Sequence, residues 1–262
     1  MDDADIDARF AIAASVMAEA AALALQYNQR LETLTIESKG PQDLVSEADR
    51  EVEMLIRERI GVHFPEDDFV GEELGSKFDG VGVWVVDPID GTQDFLLGFP
   101  TWCVSIAFVA NDELVFGLIT SPVTGDRYAA RKGEGATWNG QVISASPATS
   151  LKDGVTSVGY STKSTPSDLA HILDGLTTAG GVLRSVGSGA LMIVWVATGQ
   201  CIGYVEMYIN AWDCLAALCI VKEAGGRSND FLAENGPAGN GRIVVAAPAL
   251  YTELESLLPT KS

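Results

Sequence analysis

Two aspartates stand three residues apart directly behind an apolar run, in Trp84-Val85-Val86-Asp87-Pro88-Ile89-Asp90-Gly91-Thr92. Carboxylates at the end of a buried strand are too costly to leave uncompensated. Pro88 has no N–H to give a sheet and predicts a turn after Asp87. Two arrangements satisfy these demands. One is a pair of divalent cations, with a bridging carboxylate and the Ile89 carbonyl as a further hard oxygen ligand. A helix beginning near Thr92, entered through the permissive Gly91, would then present N–H groups to a phosphate beside the metals. The other is a metal-free Asx-type turn, in which an aspartate caps the next helix.

Composition narrows the chemistry. With 262 residues, 47% of them hydrophobic, the chain can bury a large core and reads as one unit over 1–262. No run approaches the eighteen or so unbroken apolar residues of a membrane span. The longest candidate, Ala190 to Ala197, is bounded by Gly189 and Thr198. The acidic start Met1-Asp2-Asp3-Ala4-Asp5 is unlike a secretory signal. Cys103, Cys201, Cys214 and Cys219 form no C-x-x-C pair and lie in apolar contexts, as reduced core thiols do. A soluble, cytoplasmic protein without membrane contact is expected. His63 and His171 are the only histidines, which excludes a multi-histidine zinc site and leaves a Ser-His-Asp triad little choice of base. A net charge of −19 opposes nucleic acid. It would also repel an anionic substrate unless bound cations invert the local potential.

Residues Phe10 to Asn28 carry Ile12, Val16, Ala20, Leu23 and Tyr27 at helical spacing, predicting a helix buried over much of its circumference. A loop through Lys39-Gly40-Pro41 leads to Ser46-Glu47-Ala48-Asp49, a capping box that opens a second helix with Val52, Leu55, Ile56 and Ile60 on one face. From Val83 the pattern shortens to β-like runs broken by Asn111-Asp112 and Asn139-Gly140, so residues 1–150 read as helices on a largely antiparallel sheet. Residues 151–262 alternate: strands at Val155, Val182, Ile202 and Ile243, and helices around Asp168, Ala190, Ala211 and Leu250. That half reads as α/β.

Two further acidic places stand out. Phe69-Val70-Gly71-Glu72-Glu73 sets acids at a strand end, and Ala211-Trp212-Asp213 sets one in the first turn of a helix, where an aspartate ordinarily caps. Together with Asp87 to Phe95, with Trp212 to Ala217 running on to Glu223-Ala224-Gly225-Gly226, and with Asp43 to Asp49 and Ala130 to Ala136, these segments make the chain resemble the inositol monophosphatase family over nearly its whole length. The resemblance implies an αβαβα sandwich of the inositol monophosphatase and fructose-1,6-bisphosphatase type. It implies a lithium-sensitive, magnesium-dependent phosphatase with two to three Mg²⁺ ions, acting as a homodimer.

Carried over residue by residue, Glu72, Asp87 and the Ile89 carbonyl would hold the first metal, and Asp87, Asp90 and Asp213 the second. Glu72 would also face a weaker third ion. Gly91 and Thr92 would offer backbone donors to the phosphate, and Thr92 with Asp49 would orient the attacking water. For Asp49 a capping role and a water-orienting role both stay open. Lys39 stands where the family commonly has a basic residue. On the substrate side the resemblance points to Gly187, Ser188, Glu206 and Asp213. An acid facing the substrate suits the hydroxyls of a polyol or sugar phosphate such as inositol monophosphate. Against that, Glu206 could be an edge-strand surface acid and Gly187-Ser188-Gly189 a plain turn. Gln93-Asp94 and Ser188-Gly189 depart from the family's frequent Thr-Asn and Thr-Ala, leaving histidinol phosphate, fructose bisphosphate and nucleotide 3′-phosphates open as substrates. An alternative of another class is a partner-binding regulatory protein, as some bacterial relatives are in RNA-processing or transcription complexes.

Overall fold

The alanine-rich N-terminal segment is a helix, α1 (Asp3–Asn28), in the computed structural model, which describes residues 1–40, 43–76 and 80–259 apart from the side chains of 38–40 and 43–45. It begins well before Phe10, because Asp2 and Asp5 form a capping box: the Asp5 N–H donates to Asp2 Oδ1 at 2.9 Å and the Asp2 N–H to Asp5 Oδ2 at 3.4 Å. Burial is confined to one face, Ala13, Val16, Met17, Ala20, Ala21, Ala24 and Tyr27, not to most of the circumference as expected. By length and composition α1 is apolar enough to cross a bilayer, which a search for unbroken apolar runs passes over. Its buried face instead packs into the core beside the next helix and the central sheet.

A hairpin of β1 (Ile36–Gly40) and β2 (Asp43–Ser46) takes the place of the loop expected at Lys39-Gly40. Pro41 and the Lys39 side chain lie outside the described residues. Helix α2 (Glu47–His63) starts where the capping box predicts. There follow β3 (Asp68–Gly71), β4 (Gly75–Ser76), β5 (Val83–Asp90), the short helix α3 (Thr92–Leu97), β6 (Cys103–Ala110), β7 (Glu113–Ser121), β8 (Asp126–Arg131), β9 (Gly135–Trp138) and β10 (Gln141–Val142). Eight of these strands form one sheet, in the order β10-β9-β8-β7-β6-β5-β3-β4, antiparallel except for the parallel β3–β5 pair. Its hairpins turn where the sequence signals them. Asn111 and Asp112 sit at φ 52° and 60°, and Asn139 and Gly140 at 51° and 78°, the left-handed backbone that two-residue hairpin turns require.

The second half contributes β11 (Val155–Val158), α4 (Pro166–Thr178), β12 (Val182–Arg184), α5 (Gly189–Ala197), β13 (Gly203–Asn210), α6 (Ala211–Glu223), β14 (Arg227–Ser228), α7 (Phe231–Asn235), β15 (Asn240–Ala246) and α8 (Tyr251–Glu255). The sheet order is β12-β11-β13-β15-β14. The pieces β14 and α7 escape the sequence reading because they are too short to show a period.

Five layers result. Helices α1 and α2 cover one face of the large sheet through Val16, Val52, Ile56, Trp84, Phe108 and Phe116. The other face packs on α5 and α6, whose Leu191, Ile193, Leu215 and Ile220 also meet Tyr204, Ile243 and Val245 of the smaller sheet. That sheet is covered outside by α4 and α8 through Ile172, Leu176, Tyr251 and Leu254. The all-round apolar character of Ala190 to Ala197 follows from this position: a helix between two sheets has no wet side. The N-termini of α5 and α6 thereby meet the end of β5.

Candidate metal and phosphate site

Strand β5 does not stop at Asp87. It continues to Asp90, and its pairing with β6 slips between Asp87 (opposite Ser105) and Asp90 (opposite Cys103). The expected turn at Pro88 is therefore a bulge. It absorbs the proline, which cannot donate to the ladder, and re-aims the residues around it. The Ile89 N–H is satisfied locally by Asp87 Oδ1 at 2.9 Å. Gly91 follows at φ +95° as the cap of α3, with Thr101 O only 3.0 Å from where a Cβ would sit. Both the backbone sign and the space demand glycine there.

The bulge brings the carboxylates together. Oxygens of Asp87, Asp90 and Asp213 lie within 4.8 Å of one another. Asp213 arrives from the first turn of α6, where the backbone N–H and side-chain amide of Asn210 donate to its Oδ2 at 3.0 and 3.1 Å. Asp90 Oδ2 accepts the Ala190 N–H at 2.8 Å and the Ser188 hydroxyl, so it is bound to the N-terminus of α5. Glu72, just beyond β3, lines the same cleft, and its charge acts on Asp87. The cleft, about 630 Å³, is also lined by Ile89, Gly91, Thr92, Gly187, Glu206 and Lys163.

Crowded acids resist ionisation. Burial, then the charges of Glu72, Asp90 and Asp213, push Asp87 far above the usual carboxylate range. Burial and the neighbouring Asp213 lift Asp90 to about 7. Burial raises Asp213 as well. Among the residues lining the cleft Lys163 is the one cation, and it favours the charged form of Asp213. The donor set is hard oxygen throughout, the kind that Mg²⁺-like cations take. Ionising these groups together near neutral pH calls for more positive charge than Lys163, the cation of the described lining, brings.

The two oxygens of Asp49 have different partners. Oδ2 takes the Ser46 N–H at 2.8 Å and the Ser46 hydroxyl at 2.7 Å, which is the cap. Oδ1 lies 3.2 Å from Thr92 Oγ1, which is also 3.1 Å from the Ile89 carbonyl. Asp49 is fully buried and burial raises its pKa, so it reaches the cleft through Thr92.

Glu206, expected on the substrate side, is a buried residue of the interior strand β13, not an edge-strand surface acid. It accepts the Tyr204 hydroxyl, and burial raises it to about 8, with Asp213 and Asp90 adding to the rise. Gly187 lines the cleft, whereas Ser188 is fully buried with its hydroxyl turned to Asp90. The Ser188 side chain thus supports Asp90 beneath the cleft. Two features were not singled out from the sequence. Asp94 Oδ2 accepts the Gly187 N–H at 3.0 Å and so ties α3 to the 187 segment. Tyr160, Lys163 and Tyr208 form one wall, with Lys163 Nζ 4.9 Å from the Tyr208 ring centroid. No spacing rule marks a wall assembled from two separate strand ends.

The model of the inositol monophosphatase family matches residues 5–260. The chain belongs to the inositol monophosphatase family. Its reaction class is accordingly phosphoric monoester hydrolysis. It is 33% identical over 240 residues to an inositol-1-monophosphatase of Rhizobium meliloti, covering 88% of this chain and 90% of the relative. It is also 33% identical over 215 residues to a fructose-1,6-bisphosphatase/inositol-1-monophosphatase of Thermotoga maritima, with 82% of each covered. The crystal structure of the extragenic suppressor protein suhB from Bartonella henselae superposes with a TM-score of 0.89 at 27% identity, covering 97% of this chain and all of that one. The layered architecture is the one this family's resemblance implied.

Proposed function

We propose that the chain hydrolyses a small polyol or sugar phosphate, such as inositol monophosphate, with Mg²⁺ held by Glu72, Asp87, the Ile89 carbonyl, Asp90 and Asp213. The carrying observation is the convergence of four acids from three separate segments on one cleft whose described lining has Lys163 as its one cation. Divalent cations bound there supply Lewis acidity, lowering the pKa of water and neutralising the phosphoryl group. Everything else is done by the chain. Thr92 Oγ1 has one proton for two neighbouring acceptors, Asp49 Oδ1 and the Ile89 carbonyl, so its own lone pairs remain available to orient a water on the cleft side. Gly91 and Thr92, at the start of α3, offer backbone donors to the phosphate. Gly187, tied to Asp94, and Glu206 meet the alcohol. Because the phosphoryl transition state is loose and highly charged, positioning and electrostatics suffice without a protein nucleophile.

Residues 1–262 are taken as one catalytic unit, since acids from both halves meet in it. A homodimer in the cytoplasm is part of the same proposal. Leu97, Phe99, Val182 and Leu183 are exposed apolar side chains available to a second copy, and light scattering on the purified protein tests it. Lithium is expected to inhibit by competing for a cation position.

A panel of inositol, sugar, histidinol and nucleotide 3′-phosphates and fructose bisphosphate, run with Mg²⁺ and with lithium as competitor, tests the reaction and ranks substrates. No turnover on any ester, together with stoichiometric co-purification of another protein, would favour the partner-binding alternative. Two variants refine the panel. Glu206→Gln exchanges an acceptor for a mixed donor–acceptor and should raise KM for polyol esters about tenfold, with kcat changed less; an unchanged KM removes Glu206 from the substrate side. Thr92→Val keeps the β-branched shape and deletes the hydroxyl. A kcat about 10²-fold lower with KM nearly constant is expected, and an unchanged kcat rejects the Thr92–Asp49 role.

A further inference from the structure

Glu53, on α2, is fully buried, and the hydrolytic machinery above does not use it. Its Oε2 accepts the Glu73 N–H at 2.8 Å. Its Oε1 accepts the Leu74 N–H at 3.2 Å and Arg57 Nε at 2.7 Å. Arg57, one helical turn along, sends Nη2 to the Gly75 carbonyl at 2.5 Å. Three of these four bonds grip the turn that joins β3 to β4 and the fourth ties Arg57 to Glu53; the turn begins with Glu72. The residue before it is glycine for the same reason. A Cβ on Gly71 would lie 2.0 Å from Glu53 Oε1 and 2.8 Å from Arg57 Nη2, space the ion pair already fills.

Burying a carboxylate is unfavourable unless its lone pairs are met, and an apolar side chain would pack the same space without that cost. What the carboxylate adds is direction. Charge-assisted bonds to the two N–H groups that follow Glu72 set the backbone carrying that side chain, whose charge falls on Asp87. We propose that Glu53, held by Arg57, is a positioning residue for Glu72, fixing the 72–74 turn so that the Glu72 carboxylate faces Asp87 and thereby setting the cleft's affinity for divalent cations. This rests on the cation-holding role proposed above. Partners that orient metal ligands commonly change affinity by about 10- to 100-fold when removed.

The test is a double-mutant cycle on the full chain, with bound Mn²⁺ measured by electron paramagnetic resonance so that no turnover is needed. Glu53→Gln should weaken Mn²⁺ binding about tenfold. Glu72→Gln should weaken it too, and the double variant should match Glu72→Gln within about twofold, because a positioning residue has nothing left to position. Unchanged binding in a folded Glu53→Gln protein overturns the proposal. So does a tenfold effect that persists in full on the Glu72→Gln background, the signature of a merely structural role. If Glu53→Gln does not fold, Arg57→Lys takes its place in the cycle. It keeps a positive charge beside Glu53 but cannot also reach the Gly75 carbonyl. A loss of about threefold that vanishes with Glu72→Gln supports the proposal, and no loss overturns it. A parent protein that binds no Mn²⁺ would instead bring down the cation reading itself, and the proposal with it.

Discussion

Asp90→Asn is expected to keep the fold and to lower kcat/KM by at least about 10³-fold, roughly 4 kcal/mol of transition-state stabilisation. The side chains are nearly isosteric, and an amide oxygen can still accept the Ala190 N–H and the Ser188 hydroxyl, so the anchorage of α5 survives. What disappears is one negative charge in the cation set. The metal-free protein should respond in the opposite sense. Asp90 has its folded pKa raised from 3.8 to about 7, so its contribution to stability is present below about pH 4 and is lost as the pH rises through 7. Asparagine does not titrate, and the metal-free variant should be at least as stable as the parent at pH 8. Loss of activity with an equal or higher Tm cannot come from general destabilisation. Kinetics on the best ester of the panel, with thermal melts in EDTA, check both halves. Near-normal turnover in this variant would sink the metal assignment.

Mg²⁺ at about a hundred times its Kd should raise the Tm of the metal-free protein at pH 8 by about 5–10 °C, and chelation should reverse the shift while abolishing activity. A ligand that binds only the folded state at that excess stabilises by about 2.7 kcal/mol. Each kcal/mol moves the midpoint of a chain this size by about 2–4 °C. The shift should shrink towards pH 5, since Asp90, at about 7, and its raised neighbours then carry protons that a cation must displace. Scanning fluorimetry at both pH values measures it. A Tm indifferent to Mg²⁺ at pH 8 would mean that the acids are neutralised by some other means.

Much of the site was legible because its parts are local. Asp87, Asp90 and Gly91 announce themselves by standing where a buried strand ought not to carry charge. Ser46 and Asp49 do so as a capping box, and Asp213 by opening an apolar helix. Each rests on a period, a cap or a conspicuous burial cost, and those are properties of neighbours in the chain. Chain-local reasoning also has a characteristic error. It read Pro88 as ending β5, whereas the tertiary pairing with β6 carries the strand through to Asp90 as a bulge.

The opening pair of aspartates shows where sequence stops and tertiary structure begins. The sequence by itself determined that Asp87 and Asp90 need compensation, that hard oxygen chemistry is available, and that helices flank a mixed set of strands. Only the tertiary structure decided which groups share their space. It brought Glu72 and Asp213 to the end of β5 and turned Ser188 inward to Asp90. It set Lys163 against Tyr208, and placed Glu53 behind the turn that carries Glu72. The reason is physical. Charge, hydrogen bonding and exclusion act over a few ångströms of space, and residues that close to one another here can stand more than a hundred positions apart in the chain, as Asp87 and Asp213 do.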